Sequence, residues 1–288
     1  MRSPIVYFGG KGNFVKKILP LIPAHRIYVE VFGGGASLLF AKDPSPVEVY
    51  NDIDSAVVDF FRVLRDKESF KRFYRMVALT PYAREEYYFN LKNWGKPKDK
   101  VEKAYRWFVM VRFSFSGLQT HGWSYSFKSS ARNMARTVSG WLSAIEGLPD
   151  CYYRFMRVQI ENLDFRDLIK NYDSEETFMY LDPPYIQETR KRGGYRFEMS
   201  EKDHRDLAEL LLKSKSKFIL SGYRHKIYKP LEEKSWVRID FKTSCYAVGR
   251  TRYTGLIGEG VVNKLKPRIE SVWLSPNCQP ANDSLFPD

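Results

Sequence analysis

Two clusters of residues in this 288-residue chain have the types and spacing to do chemistry. The first is Phe32-Gly33-Gly34-Gly35-Ala36-Ser37, with Asp52 placed 19 positions after Gly33. Between a strand and a helix, a glycine run lets the backbone approach a ligand, and a carboxylate ending the next strand meets ribose hydroxyls. The pair therefore suits a nucleotide-like ligand. It is not the G-x-G-x-x-G of dinucleotide folds, and a glycine triplet alone also serves any tight turn. The second cluster is Asp182-Pro183-Pro184-Tyr185, directly after the apolar run TFMYL. Two prolines end the strand and hold the flanking Asp and Tyr rigidly. Asp182 and the Pro183 carbonyl can accept both hydrogens of an exocyclic amino group, while Tyr185 offers a stacking face. Together they suit a planar aminated base.

The elements that position these clusters alternate. Residues 26–32 form a short β-branched and aromatic run that precedes the glycines, and the helix-like ASLLFAK follows them. PVEVYND ends a second strand and DSAVVDFFRVLRD a second helix; VQIENLDF, TFMYLDPPY, KFILSGY and ESVWLSP read as further strands, with the helix SEKDHRDLAELLLK among them. Such alternation predicts an α/β fold with a doubly wound, mostly parallel sheet whose strands end at both clusters. The middle of the chain interrupts it. Residues 57–160 read as an inserted, mainly helical domain, so that 1–56 and 161–288 together form the sheet domain. Within the insert, SFSGLQTHGWSYSF carries Gly117 and Gly122 among aromatics and reads as a hairpin or exposed loop. Arg132, Arg136 and Trp141 are expected on a further helical segment after it, and NCQPANDSLFPD reads as a frayed tail.

Charge narrows the partner. The net charge is +13 and aromatic residues make up 16% of the chain. Residues 57–160 hold 19 basic against 9 acidic side chains, which concentrates the surplus in the insert and points to a polyanion. No run of about 18 apolar residues exists, so no membrane span is expected. The N-terminal MRSPIVYFGGKGNF lacks the apolar region of a signal peptide, which leaves the cytoplasm as the expected compartment. Cys151, Cys245 and Cys278 make neither a disulfide framework nor a zinc knuckle, and His25, His121, His204 and His225 have no metal-ligand spacing; no metal is expected. Nothing indicates an obligate protein partner.

Taken in order, these segments resemble the Dam-type, alpha-group DNA adenine N6-methyltransferases. YFGGKG at 7–12 looks like that family's N-terminal segment, EVFGGGAS like its S-adenosylmethionine loop and NDID at 51–54 like its ribose-binding turn. LDF at 163–165 looks like its adenine-bracketing pair, and YLDPPY like its catalytic tetrapeptide. The basic insert also falls where the family carries target recognition. The resemblance implies a Rossmann-like methyltransferase sheet with an inserted target-recognition domain, S-adenosylmethionine as cofactor and double-stranded DNA as partner. It also leaves room for a cognate restriction endonuclease.

Residue by residue, the resemblance implies that Asp182, Pro183 and Tyr185 hold a flipped-out adenine. Phe32, Gly33 and Gly35 would shape the methionine pocket, Asp52 would bind the ribose, and Asp164 with Phe165 the cofactor's adenine. Tyr7 and Lys11 would close the site. Many relatives carry Phe-Asn-Gly-Leu followed by Arg, whereas Phe115-Ser116-Gly117-Leu118 is followed here by Gln119 and Thr120, a departure from the GATC-reading pattern. Gln119 could read adenine edges, and Arg132 or Arg136 guanine or phosphate. The residues alone leave two other readings open: a methyltransferase acting on RNA adenine or cytosine N4, and a DNA-binding module with a vestigial cofactor fold.

Overall fold

A strand that is apolar at successive positions has to be covered on both faces. That holds for β6 (Thr177–Leu181), buried along its whole length. It lies between β1 (Ile27–Glu30) and β7 (Lys217–Gly222), both parallel to it, with Glu30 beside Tyr180 and Leu181 beside Leu220. The computed structural model describes residues 1, 3–6, 14–117, 122–189, 195–244 and 267–278. Among these, β2 (Val47–Asn51), β5 (Gln159–Glu161), β8 (Val237–Ser244) and β9 (Pro267–Leu274) complete a seven-stranded sheet of order β5-β2-β1-β6-β7-β9-β8. Five strands run parallel; β9 is antiparallel to β7, and β8 to β9. This is a mixed α/β architecture of Rossmann-like type. The chain leaves β1 in one direction to β2, and β6 lies on the other side of β1, so the order reverses there and opens a crevice at the carboxyl ends of the strands.

The two faces are covered by different helices. Short α1 (Val15–Ile18) and α2 (Ser37–Ala41) flank β1. Between β2 and β5 run α3 (Ser55–Arg65), α4 (Lys67–Ala78), α5 (Arg84–Lys92), α6 (Lys100–Phe113), α7 (Arg136–Glu146) and α8 (Leu148–Phe155). Aspartates 54, 66 and 99 cap α3, α4 and α6, accepting from otherwise unpaired first-turn N–H groups. These helices share one apolar core with their face of the sheet: Phe61 stacks on Phe155 at 4.2 Å, and Tyr50 of β2 meets Phe61 edge-on at 4.8 Å. A buried ion cluster ties the same layer down, with Glu48 of β2 bonded by Lys42 at 2.7 Å and by Arg154 of α8 at 2.8 Å. The opposite face packs on α9 (Phe165–Tyr172), α10 (Glu201–Lys213) and α11 (Lys229–Glu233). Asp164 caps α9, and Ser200 forms a reciprocal capping box with Asp203 on α10.

Two features differ from the sequence expectations. Strand β8 was not anticipated because Arg238, Asp240 and Lys242 interrupt its apolar positions, a pattern suited to the sheet edge it occupies. Arg132 is not helical. It and Asn133 have φ of 55° and 57° and turn the two-stranded hairpin β3 (Ser130–Ala131) to β4 (Met134–Ala135), where two consecutive left-handed residues are needed. Arg136 begins α7 and is exposed. In the stretch expected as a hairpin or loop, Ser114 bridges Trp123 antiparallel, and the intervening residues 118–121, with Gln119, lie outside the described residues. Among the described residues, no helix is long and apolar enough to cross a membrane.

Candidate active site

The glycine run is a tight turn held from both strands. Gly34 adopts φ 45° and Ala36 φ 53°, and the Ala36 N–H donates to Gly33 O at 2.7 Å. Gly33 lies so close to β2 that its N–H donates to Asn51 O at 2.7 Å. Asp52 then fixes the loop through one carboxylate oxygen on Gly34 N (2.7 Å) and the other on Asp54 N (2.8 Å). Burial pushes the Asp52 carboxyl up to about 6, against the pull of those N–H groups. The neighbouring Asn51 side chain donates to Val31 O (2.9 Å) and Leu163 O (3.2 Å) and accepts from Leu163 N (2.8 Å), bringing the segment before α9 to the same edge.

A cleft of about 700 Å³, including its open mouth, lies over this loop. Phe32, Gly33, Gly35 and Asp52 line it, and so do Asp182 and Pro184 from the end of β6. The two sequence clusters thus face one cavity. Pro183 and Tyr185 are buried beside it rather than in its lining, and the Tyr185 ring meets Tyr223 edge-on at 4.8 Å. Phe165 is buried and packs on Phe32 at 5.7 Å, whereas Asp164 caps α9 and pairs with Arg166 at 3.2 Å. Arg132 pairs with Glu146 at 2.7 Å on the surface. Tyr7 and Lys11 lie outside the described residues.

Motif, cavity and sheet are matched by kinship: a family model of D12 class N6 adenine-specific DNA methyltransferases covers residues 7–244. The chain belongs to that family. The type II methyltransferase M.CviBI of Paramecium bursaria Chlorella virus NC1A is 23% identical over 189 residues, covering 64% of this chain and 69% of the viral protein. Modification methylase StsI of Streptococcus sanguinis is 23% identical over 208 residues, 65% of this chain but 29% of its own length, so the match spans less than a third of that relative.

In this DNA adenine methyltransferase the cavity is also lined by Glu30, Asp54 and Tyr180, motif residues given no role from the sequence, and by Arg196 and Phe197, which lie outside the motifs. Arg196 bonds Asp54 at 3.1 Å across 142 positions, a pairing that no local pattern announces. Glu30 did carry a signal, as the lone acid in an apolar strand just before the glycines. One of its oxygens accepts from both Tyr28 Oη (3.1 Å) and Leu39 N (3.0 Å), anchoring the start of α2 under the cavity. Only 3% exposed, its carboxyl is pushed up to about 8 by burial, against those two hydrogen bonds.

A raised carboxyl stabilises the fold at low pH and loses that contribution as pH climbs through its folded value, because the unfolded chain ionises from about 4.5 upward. Wild-type stability is therefore expected to fall between about pH 4.5 and 8. Glu30→Gln keeps an acceptor for Tyr28 and Leu39 without titrating, so it should flatten that slope by on the order of a few kcal/mol. Calorimetric unfolding at several pH values checks this, and parallel slopes for the two proteins would show that Glu30 is ionised in the fold.

Proposed function

We propose that the chain transfers a methyl group from S-adenosylmethionine to the N6 amino group of adenine at specific sites in duplex DNA, after turning the base out of the stack. The observation that carries this reading is that Asp182 opens on the same cavity as the glycine turn and Asp52. The donor set suits the cofactor: carboxylates Asp52 and Asp182 favour a cation, and Phe32, Leu38 and Phe197 supply apolar surface. When bound, the cofactor supplies a methyl group made electrophilic by its sulfonium.

The protein's work is then positioning and polarisation. Asp182 and the Pro183 carbonyl accept the two amino hydrogens of adenine, which concentrates its lone pair on nitrogen. Asp182 would also take the proton that the amino nitrogen must lose once it carries the methyl group. Tyr185 supports the extruded base, Asp52 holds ribose hydroxyls, and Phe32, Gly33 and Gly35 shape the pocket. Asp164 and Phe165 attend the cofactor's adenine, with Tyr7 and Lys11 closing the site. Base extrusion costs a few kcal/mol, offset by stacking and phosphate contacts.

Target recognition belongs to residues 57–160. Phe115, Tyr125 and Phe127 are exposed there, and Arg84 lies 4.5 Å over the Trp123 ring. Gln119 and Arg136 are the contacts we assign to DNA, and Arg132 joins them by exchanging Glu146 for a base or phosphate. The two relatives are named a type II methyltransferase and a modification methylase, in keeping with a modification enzyme; a cognate restriction endonuclease as partner and the cytoplasm as compartment are our own assignments. Labelled methyl transfer to mixed-sequence duplex DNA, followed by nucleoside separation, tests the assignment. Label is expected in N6-methyladenine; label confined to RNA or to N4-methylcytosine would overturn it.

A further inference from the structure

A second cleft lies at the same edge of the sheet, lined by Glu188, Arg224, His225, Lys226, Lys229 and Glu232. Its position follows from strand order. The cofactor-type cavity draws on the ends of β1, β2 and β6, whereas β7 neighbours β6 on the side away from β1. Tyr185, after β6, meets Tyr223, after β7, and Arg224 is the next residue. The base-holding motif therefore stands between an acidic cavity on one side and this cleft on the other.

The charges in the cleft are unevenly matched. Glu232 is engaged from outside the lining, by both oxygens on Arg238 Nη1 (2.8 and 2.9 Å) and by Trp273 Nε1 (3.1 Å). Glu188 lies 3.4 Å from His225 Nε2, and Lys229 pairs with Glu233 at 3.5 Å. Arg224 and Lys226 are exposed and have no ion pair among the described residues. Arg224, Lys226 and Lys229 outnumber Glu188 and Glu232 in the lining, and a concave surface with a cationic surplus attracts an anion with several oxygen acceptors.

We propose that Arg224 and Lys226, with Lys229 at the rim, seat a backbone phosphate of the DNA strand that carries the target adenine. This rests on the DNA methyltransferase reading above. A base delivered to Asp182 and Tyr185 brings its own sugar-phosphate to the mouth of the site. The carboxylates Asp52 and Asp182 of the cofactor-side cavity repel that strand, so it runs over the cationic side. The cleft adds a phosphate contact outside the basic segment 57–160 and holds the strand beside the extruded base.

The test uses the full chain with Arg224→Gln and Lys226→Gln combined. A control, Lys170→Gln with Lys213→Gln, removes the same charge where α9 and α10 lead back to the starts of β6 and β7, the far edge of the sheet. Duplex DNA affinity is measured across a range of salt, alongside S-adenosylmethionine affinity and kcat at saturating DNA. The cleft variant should bind DNA about tenfold more weakly, with a salt slope shallower by about 1 to 2. Cofactor affinity and kcat should stay near wild type. DNA affinity and slope equal to those of wild type or of the control would overturn the proposal. Absence of methyl transfer by the unaltered chain is a different failure: it would sink the methyltransferase reading and the phosphate seat with it.

Discussion

Asp182→Ala should lower methyl transfer by about a thousandfold or more while the protein still folds and binds S-adenosylmethionine. The side chain follows a fully buried strand, but it opens on the cavity rather than filling the core. Its removal takes a negative charge away from buried Glu30, whose ionisation Asp182 opposes, so the fold loses little. What disappears is the acceptor that draws density onto the adenine nitrogen and takes its proton. Asp182→Asn keeps one acceptor oxygen without the charge and should fall between wild type and Ala. Single-turnover methyl transfer with calorimetric titration of the cofactor separates chemistry from binding. Activity within about twofold of wild type in the Ala variant, far below the effect expected for such a group, would remove Asp182 from the reaction.

The second large effect is expected from Gly33→Ala, which should damage stability and the cofactor pocket together. A Cβ at this position would lie 2.2 Å from Tyr50 Cε2 and 2.7 Å from Asn51 O. Neither neighbour can retreat. Tyr50 is fully buried, donates to Gly34 O at 2.9 Å and packs on Phe61 and Phe155. Asn51 O accepts the Gly33 N–H, and the Asn51 side chain ties β1 to the segment before α9. Relief requires the loop to move away from β2, which would break the Asp52 bond to Gly34. A loss of about 3 kcal/mol in urea unfolding is expected, with weakened cofactor binding. Gly95→Ala is the control, since nothing lies within 4 Å of its added Cβ, and it should stay within about 0.5 kcal/mol. Equal behaviour of the two variants would show that the loop has room the structure does not give it.

Much of the sheet was legible because its signals are local. Apolar runs ended by glycine or by Pro-Pro marked β1, β6 and β7, and the aspartates at 54 and 164 sit where helix caps are needed. Strand β8 escaped because its alternating charges look like a surface segment until β9 pairs with it. Arg132 was misplaced for a related reason: the turn it makes depends on a partner strand only two residues long. At the site, Glu30 and Arg196 were missed. One acts through a hydrogen bond to a helix nine positions on, the other through an ion pair to a residue far back in the chain.

The amino-acid sequence by itself determined the alternating α/β elements, the glycine turn with its acidic partner, the Asp-Pro-Pro-Tyr segment and the basic middle. Each of these is encoded by residue types over a few consecutive positions, where turn sterics, strand periodicity and charge act directly. Only the tertiary structure decided that Asp182 and Asp52 share one cavity, that Glu30 is a buried carboxyl beneath it, and that Arg224 and Lys226 stand on the far side of Tyr185. Those juxtapositions depend on which strand lies beside which, and strand order is set by the packing of two whole faces rather than by any local run of residues.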